Sequence, residues 1–390
     1  IPGGDKLLPP DLIIQDELHL ISGPLGTVAG LYEAAIDRLA TRWIGDHRVR
    51  PKIVASTASV RRASAQIRSL FDREETQIFP PPGLSRRDSF FAVTVPSNQN
   101  PARLYLGVAS QGRGPKLIFL RTLLSIMAAA KAEYERASPA EKGAVDPYMT
   151  ALCYFNALKE LGGAKRIVDD EVTSGLKTYG RRRRRRAPPD APFGDRTILA
   201  PLELTSRVST DKVAEAKSTL ERSFGADGPI VDLALATNMI SVGLDIERLG
   251  LMIVQGQPKA AAEYIQATSR VGRDHNRPGL VITVLNVMKP RDRTHFEHFT
   301  QFHRTFYRAV EATSVTPWAQ RALDRSLASI VVSLARHLDP KMTPESGAGR
   351  GPRISTGFQS VMLERGNSSS PTSCNSASEG ARRFLTPGVG

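Results

Sequence analysis

Asp11-Leu12-Ile13-Ile14-Gln15-Asp16-Glu17-Leu18-His19 sets an apolar run directly ahead of two carboxylates. A short apolar run ending in polar residues is the pattern of a buried parallel strand. Residues 12–15 therefore predict a strand that delivers Asp16 and Glu17 at its carboxyl end. The pattern recurs at 52–55, and between the two runs Val28, Leu31, Ala35, Leu39 and Trp43 fall at helical spacing. Strand, helix and strand in that order make an α/β unit. Pro80-Pro81-Pro82-Gly83 then breaks the chain. Beyond the break, strands are predicted at 103–108, 152–155, 230–236, 251–254 and 280–285, with a long helix over 116–137. Alternation on both sides of a break predicts two α/β lobes in tandem, with the ligand site in the cleft between them.

Residues 291–338 turn helical, and Phe296, Phe299, Phe302, Phe306 and Val310 form an apolar stripe that suits core packing better than base stacking. His295, His298 and His303 share that helix, but their spacing without a fourth partner does not make a metal site. From Ser346 onward the chain is Gly, Ser, Pro and Thr without periodicity, which predicts disorder. The expected division is a first lobe over 1–82, a second over 83–290, a helical extension over 291–340 and a tail over 341–390.

Hydrophobic residues at 41% and charged residues at 24% are ordinary for a folded domain, but a net charge of +14 is not. Such a balance favours a polyanionic partner, nucleic acid first. Six of the charges belong to the run Arg181 to Arg186, within a stretch, 175–195, that reads as a solvated loop. Two cysteines, Cys153 and Cys374, exclude a disulfide framework or a zinc ribbon. No stretch approaches the roughly 18 apolar residues that a membrane span requires. A reducing, cytoplasmic setting is the default expectation.

The acidic pair carries the first chemistry. A nucleotide-bound Mg²⁺ keeps several waters and takes one or two carboxylates, a role that suits Asp16. Glu17, next on the turn, is placed to orient or deprotonate an attacking water. Far along the chain, Gln266-Ala267-Thr268-Ser269-Arg270-Val271-Gly272-Arg273 sets two arginines three apart, which on a helix project from one face. No Gly-x-x-x-x-Gly-Lys-Ser/Thr loop, the usual phosphate cradle, occurs in these residues.

In these features the chain resembles the superfamily 2 helicases of the DExH type. Asp16-Glu17-Leu18-His19 is similar to their acidic element, and Ser56-Thr57-Ala58-Ser59 to the element that couples hydrolysis to movement on nucleic acid. Residues 152–156 resemble a core strand of the second lobe. Ala236-Thr237-Asn238-Met239-Ile240-Ser241-Val242-Gly243-Leu244-Asp245-Ile246 resembles the Thr…Gly-hydrophobic-Asp-hydrophobic element. Gln266 to Arg273 resembles the Gln/His-x-x-Gly-Arg-x-x-Arg element, with Ser269 in place of the glycine. The resemblance covers about residues 11–290 and implies two RecA-like lobes, the first truncated, with a helical C-terminal extension.

It also implies roles. Asp16, Glu17, Arg270 and Arg273 would be catalytic, the arginines stabilising charge on the γ-phosphate. His19, Gly243, Asp245 and Gln266 would hold ATP, and Ser56, Thr57, Ala58 and Thr237 would couple hydrolysis to movement. The implied cofactors are ATP and Mg²⁺, with Asp16 on the metal, and the implied partner is nucleic acid, DNA ahead of RNA. Without a phosphate loop, these 390 residues alone are expected to bind ATP weakly and hydrolyse it negligibly. The competing expectation is a non-catalytic nucleic-acid-binding or scaffold protein with a helicase-like lobe. A narrower resemblance, carried by residues 11–27, 266–273 and 291–324, is to the large helicase-like component of the bacterial DISARM phage-defence system. It implies other subunits of a defence complex as partners.

Overall fold

The computed structural model describes residues 8–21, 23–57, 63–79, 81, 90–91, 93–96, 98–100, 102–109, 112–183, 191–205, 208–237, 245–306, 310, 315–338 and 342. In chain order β1 (Leu12–Gln15), α1 (Gly23–Ala40), β2 (Arg42–Ile44), β3 (His47–Val49), β4 (Lys52–Ala55) and α2 (Ala63–Phe71) come first. β5 (Leu104–Ala109), α3 (Pro115–Arg136), α4 (Lys142–Val145), β6 (Ala151–Phe155) and α5 (Leu158–Ile167) follow. Next are α6 (Thr173–Leu176), α7 (Tyr179–Arg183), β7 (Leu202–Leu204), α8 (Thr210–Leu220), β8 (Leu233–Ala236), β9 (Leu251–Gln255), α9 (Ala261–Thr268) and β10 (Leu280–Leu285). α10 (Pro290–Glu297), α11 (Phe299–Arg304) and α12 (Gln320–Leu338) complete the series.

The chain divides into two compact units, one of residues 1–81 with 311–390 and one of 82–310. The helical stretch after residue 290 is thus shared: α10 and α11 fall in the second unit and α12 in the first. The tail from residue 343 lies outside the described residues, as do Arg184, Arg185 and Arg186.

In the first unit β1 and β4 pair in parallel, Ile13 opposite Ile53 and Gln15 opposite Ala55. Leu31 and Ala35 on α1 pack with Ala322, Leu323, Ile330 and Leu334 of α12 in one small core. Leu18, Leu70, Phe71 and Val315 form a second, with Ile53 and Ala55 against it. Between the helix and β4, a short antiparallel hairpin pairs Trp43 with Arg48. The spacing of Val28 to Trp43 runs the helix too far. Gly45 at φ +60° starts a tight turn that draws Trp43 into a strand.

The second unit is built on a six-stranded sheet in the order β5-β10-β9-β6-β8-β7, with every pair parallel. Its central strands are buried along their whole length, as a sheet covered on both faces requires. Alternate residues feed two cores. Cys153, Leu233, Leu235, Ile253 and Val284 pack on one face with Phe119, Leu123 and Met127 of α3. Leu152, Tyr154, Ala234, Ala236 and Met252 pack on the other with Leu220 of α8 and Tyr264 and Ala267 of α9. Cys153 is the buried hydrophobe its surroundings predict, and burial pushes its thiol upward.

Three further expectations are corrected. Residues 175–195 are not simply a loop: α6 ends and α7 runs inside that stretch, because the Asp195 carboxylate accepts from the Arg181 backbone N–H at 3.1 Å and its Nε at 2.7 Å. The three histidines do not share one helix, since His298 at φ −107°, ψ 18° separates α10 from α11. Among the described residues no group of three or more potential metal ligands comes together. The third correction concerns the arginines and belongs to the site.

Candidate functional site

The acidic element occupies the turn directly after β1. Asp16 Oδ1 accepts from the Glu17 backbone N–H at 2.9 Å and from the Ser56 hydroxyl. Those contacts, the Ser56 hydroxyl first, hold the Asp16 carboxyl below the usual carboxylate range. Ser56 is tied in twice more: its N–H donates to Gln15 O at 2.9 Å, and its carbonyl accepts from Leu18 N–H at 2.9 Å. One residue just past β4 therefore extends the β1–β4 ladder around the acidic turn.

Glu17 adopts φ 52°, ψ 44°, the left-handed region that a non-glycine side chain rarely occupies. Its carboxylate lies 3.4 Å from Nδ1 of the buried His19. Asp16, Glu17, His19 and Ser56 are thus brought together, with Thr57 adjacent and exposed. Ala58 falls outside the described residues.

The arginine element belongs to the second unit, and here the helix reading fails. α9 ends at Thr268, and Arg270 and Arg273 stand on the irregular backbone after it. The Thr268 and Ser269 hydroxyls donate back to Tyr264 O at 2.8 Å and Gln266 O at 2.7 Å, occupying the carbonyls of the last turn. Gly272 at φ +61° then turns the chain away. Because the loop leads into β10 and its Gly272 N–H donates to Leu249 O at 2.8 Å, just before β9, it lies at the amino edge of the parallel sheet.

Arg273 forms an ion pair with Asp245, so one arginine is joined to the Asp of the preceding element. Gln266 is buried in α9, and Arg270 is half-buried. Thr237 is buried after β8, its N–H donating to Leu204 O at 3.3 Å, on the opposite edge of the sheet from the loop. Gly243 falls outside the described residues.

α9 is itself anchored through its side chains. The Tyr154 hydroxyl donates to Glu263 Oε1 at 2.6 Å. The Tyr264 hydroxyl lies 2.7 Å from Thr283 Oγ1 and 3.2 Å from His303 Nε2. Phe302 and Phe306 of the predicted aromatic stripe pack beside Tyr105 and Tyr264 against the core, while Phe296 remains exposed. None of these anchors carries a sequence signal, because each joins residues far apart in the chain.

Residues 204–275, from the end of β7 through the arginine loop, match the helicase conserved C-terminal domain. This matched segment lies wholly within the second unit. Over 334 residues the chain is 43% identical to the DISARM protein DrmA of Bacillus paralicheniformis, an alignment that takes in 86% of this chain and 29% of that protein. The chain therefore spans under a third of the length of this relative. The DUF1998 helicase MrfA bound to DNA and AMPPNP aligns at TM-score 0.51 with 15% identity, over 91% of this chain and 40% of that one. Helicase Lhr of Mycobacterium smegmatis bound to ssDNA and AMP-PNP aligns at TM-score 0.50 with 17% identity, over 83% and 34%. At those identities the likeness is one of fold, and the fold is that of RecA-like helicase lobes. No helix among the described residues is long and apolar enough to cross a membrane.

Proposed function

We propose that this helicase-type chain is part of an ATP-driven translocase that couples nucleotide hydrolysis to movement on nucleic acid, DNA ahead of RNA, in a cytoplasmic defence system. The observation that carries the reading is the Ser56–Asp16 contact. It joins the residue assigned to coupling directly to the residue assigned to the nucleotide. The net charge of +14 supports a polyanionic partner. The 43% identity to a DISARM protein supports membership of a multi-protein assembly.

In this reading Asp16 stays ionised, and its contacts fall on Oδ1, leaving Oδ2 open toward a hard cation. That donor set fits Mg²⁺, which would be held by Asp16 and the nucleotide phosphates rather than by a protein cage. The metal supplies neutralisation of phosphate charge when bound. Glu17 orients the attacking water and takes up its proton, with His19 fixing the carboxylate. Arg270 and Arg273 place positive charge on the γ-phosphate, and Asp245 holds Arg273 in register. Gln266, Gly243, Thr57, Ala58 and Thr237 keep the binding and coupling roles implied by the resemblance.

In a full-length form that turns over ATP, Glu17→Gln is expected to abolish hydrolysis while nucleotide binding persists. Wild-type turnover in that variant would rule out Glu17 as the base. A second reading, a non-catalytic nucleic-acid-binding scaffold, is favoured by the lack of a phosphate loop in these 390 residues. We expect the 390 residues alone to hydrolyse ATP negligibly, and turnover like that of a complete helicase would show that no such loop is needed.

A further inference from the structure

The loop carrying Arg270 and Arg273 leaves its helix: the Ser269 and Arg270 N–H groups still donate to Ile265 O at 3.0 Å and Ala267 O at 3.2 Å, and past them no i to i−4 ladder fixes it. Arg103, the residue before β5, does. Its Nε donates to Val271 O at 2.6 Å and its Nη2 to Ser269 O at 3.2 Å. One guanidinium therefore grips the carbonyls on either side of Arg270. The planar fork sets both acceptors in a single geometry, and its charge sits against the negative end of α9.

The rest of the loop is closed by backbone. Leu104 N–H, next to Arg103, donates to Gly279 O at 2.8 Å, so the same short segment holds the far end of the turn. Gly272 packs so closely on that end that a Cβ would lie 2.3 Å from Gly279 N. The Tyr148 hydroxyl donates to Pro278 O at 2.6 Å. Arg103 is also where the chain, having crossed from the first unit after Pro81, enters the sheet of the second.

We propose that Arg103 is a positioning residue for Arg270 and Arg273, setting the backbone from which both reach the nucleotide. The inference rests on the reading that these arginines serve ATP hydrolysis. Without Arg103 the two carbonyls, on a half-buried loop, are satisfied by water, so the lobe keeps its fold while the arginines lose their register. A displacement of about 1 Å costs on the order of 10²-fold in rate.

The test uses a full-length form that hydrolyses ATP. Arg103→Ala is expected to lower kcat about tenfold or more while KM for ATP changes by less than about threefold. Arg103→Lys restores part of the loss, since an ammonium reaches one carbonyl but not both in the same geometry. In an Arg270→Lys background, which keeps measurable turnover, Arg103→Ala costs less than it does alone, because the residues act as one unit. Thermal melts of the variants check the fold; if Arg103→Ala does not fold, Arg103→Gln, which keeps one donor, takes its place. Unchanged kcat, or a fully additive loss in the Arg270→Lys background, overturns the positioning role and leaves the arginine reading intact. Wild-type turnover in Arg270→Ala/Arg273→Ala overturns the arginine reading, and the positioning role with it.

Discussion

Asp16 and Glu17 follow a strand of alternately exposed and half-buried residues, whereas Arg270 and Arg273 follow a helix whose last five residues are all buried. The first pair depends on few contacts: one left-handed residue, one hydroxyl just past the paired strand, 40 positions along the chain, and a ladder extended by a single residue. The second pair depends on tertiary anchors drawn from β5, the turn before β9 and Asp245. The edges differ as well. The acidic turn lies at the carboxyl end of its strand, where ligands of open α/β sheets bind. The arginine loop lies at the amino edge of its own sheet. Of the two elements proposed to serve one chemistry, one is held by a single paired strand and the other by the packing of a whole lobe.

If that contrast is right, core truncation should separate the two regions. Ile253, fully buried in β9, is expected to cost about 2–5 kcal/mol on Ile253→Ala, with the arginine loop loosening as the lobe does. Ile14 of β1 is 72% exposed, so Ile14→Ala should stay within about 0.5 kcal/mol. Denaturant melts read both, and equal losses would break the comparison.

Gly272→Ala is the next largest. It combines a left-handed φ with a backbone clash, and is expected to destabilise the second unit by about 1–3 kcal/mol. Hydrogen exchange should show the opening concentrated between Ser269 and Gly279. Opening spread evenly over the lobe would mean that the loop is not separately held.

On the acidic side, Ser56→Ala removes the main contact holding the Asp16 carboxyl low, so its titration should move up toward the ordinary carboxylate range. The unfolded chain titrates in that range. The folded form therefore favours the ionised carboxylate above it and loses that advantage as pH falls through the lower folded value. NMR titration of Asp16 reads the shift, and no movement would assign the low value to the Glu17 amide instead.

The smallest effect concerns His303, whose imidazole is held below its ordinary value by burial beside Tyr105, Phe299 and Phe306. Between the folded value and about 6.5 the unfolded chain binds the proton more readily. Stability is therefore fully present above pH 6.5 and declines as pH falls toward the folded value. His303→Phe should flatten this part of the melting-temperature profile, and an unchanged slope would place the dependence elsewhere.

Much of the second sheet was legible because buried parallel strands are continuous apolar runs, as at Leu251-Met252-Ile253-Val254. β7 went unread because three residues, Leu202, Glu203 and Leu204, give too little pattern to separate from a loop. The end of α9 was misread for another reason. Arg270 and Arg273 keep helical spacing, but spacing cannot register that the carbonyls of Ser269 and Val271 are taken by an arginine more than 160 residues earlier. Arg103 itself, a single basic residue before a strand, carries no local signal.

By itself the sequence determined the α/β alternation, the acidic turn after β1 and the order of the elements that match a helicase C-terminal domain. These follow from periodicity and residue type, which act over a few neighbours. Only the tertiary structure decided that Ser56 closes on Asp16, that Arg273 meets Asp245 and that Arg103 holds the arginine loop. Each of those contacts joins residues at least 28 positions apart, and such pairs meet only once the strands have paired in register.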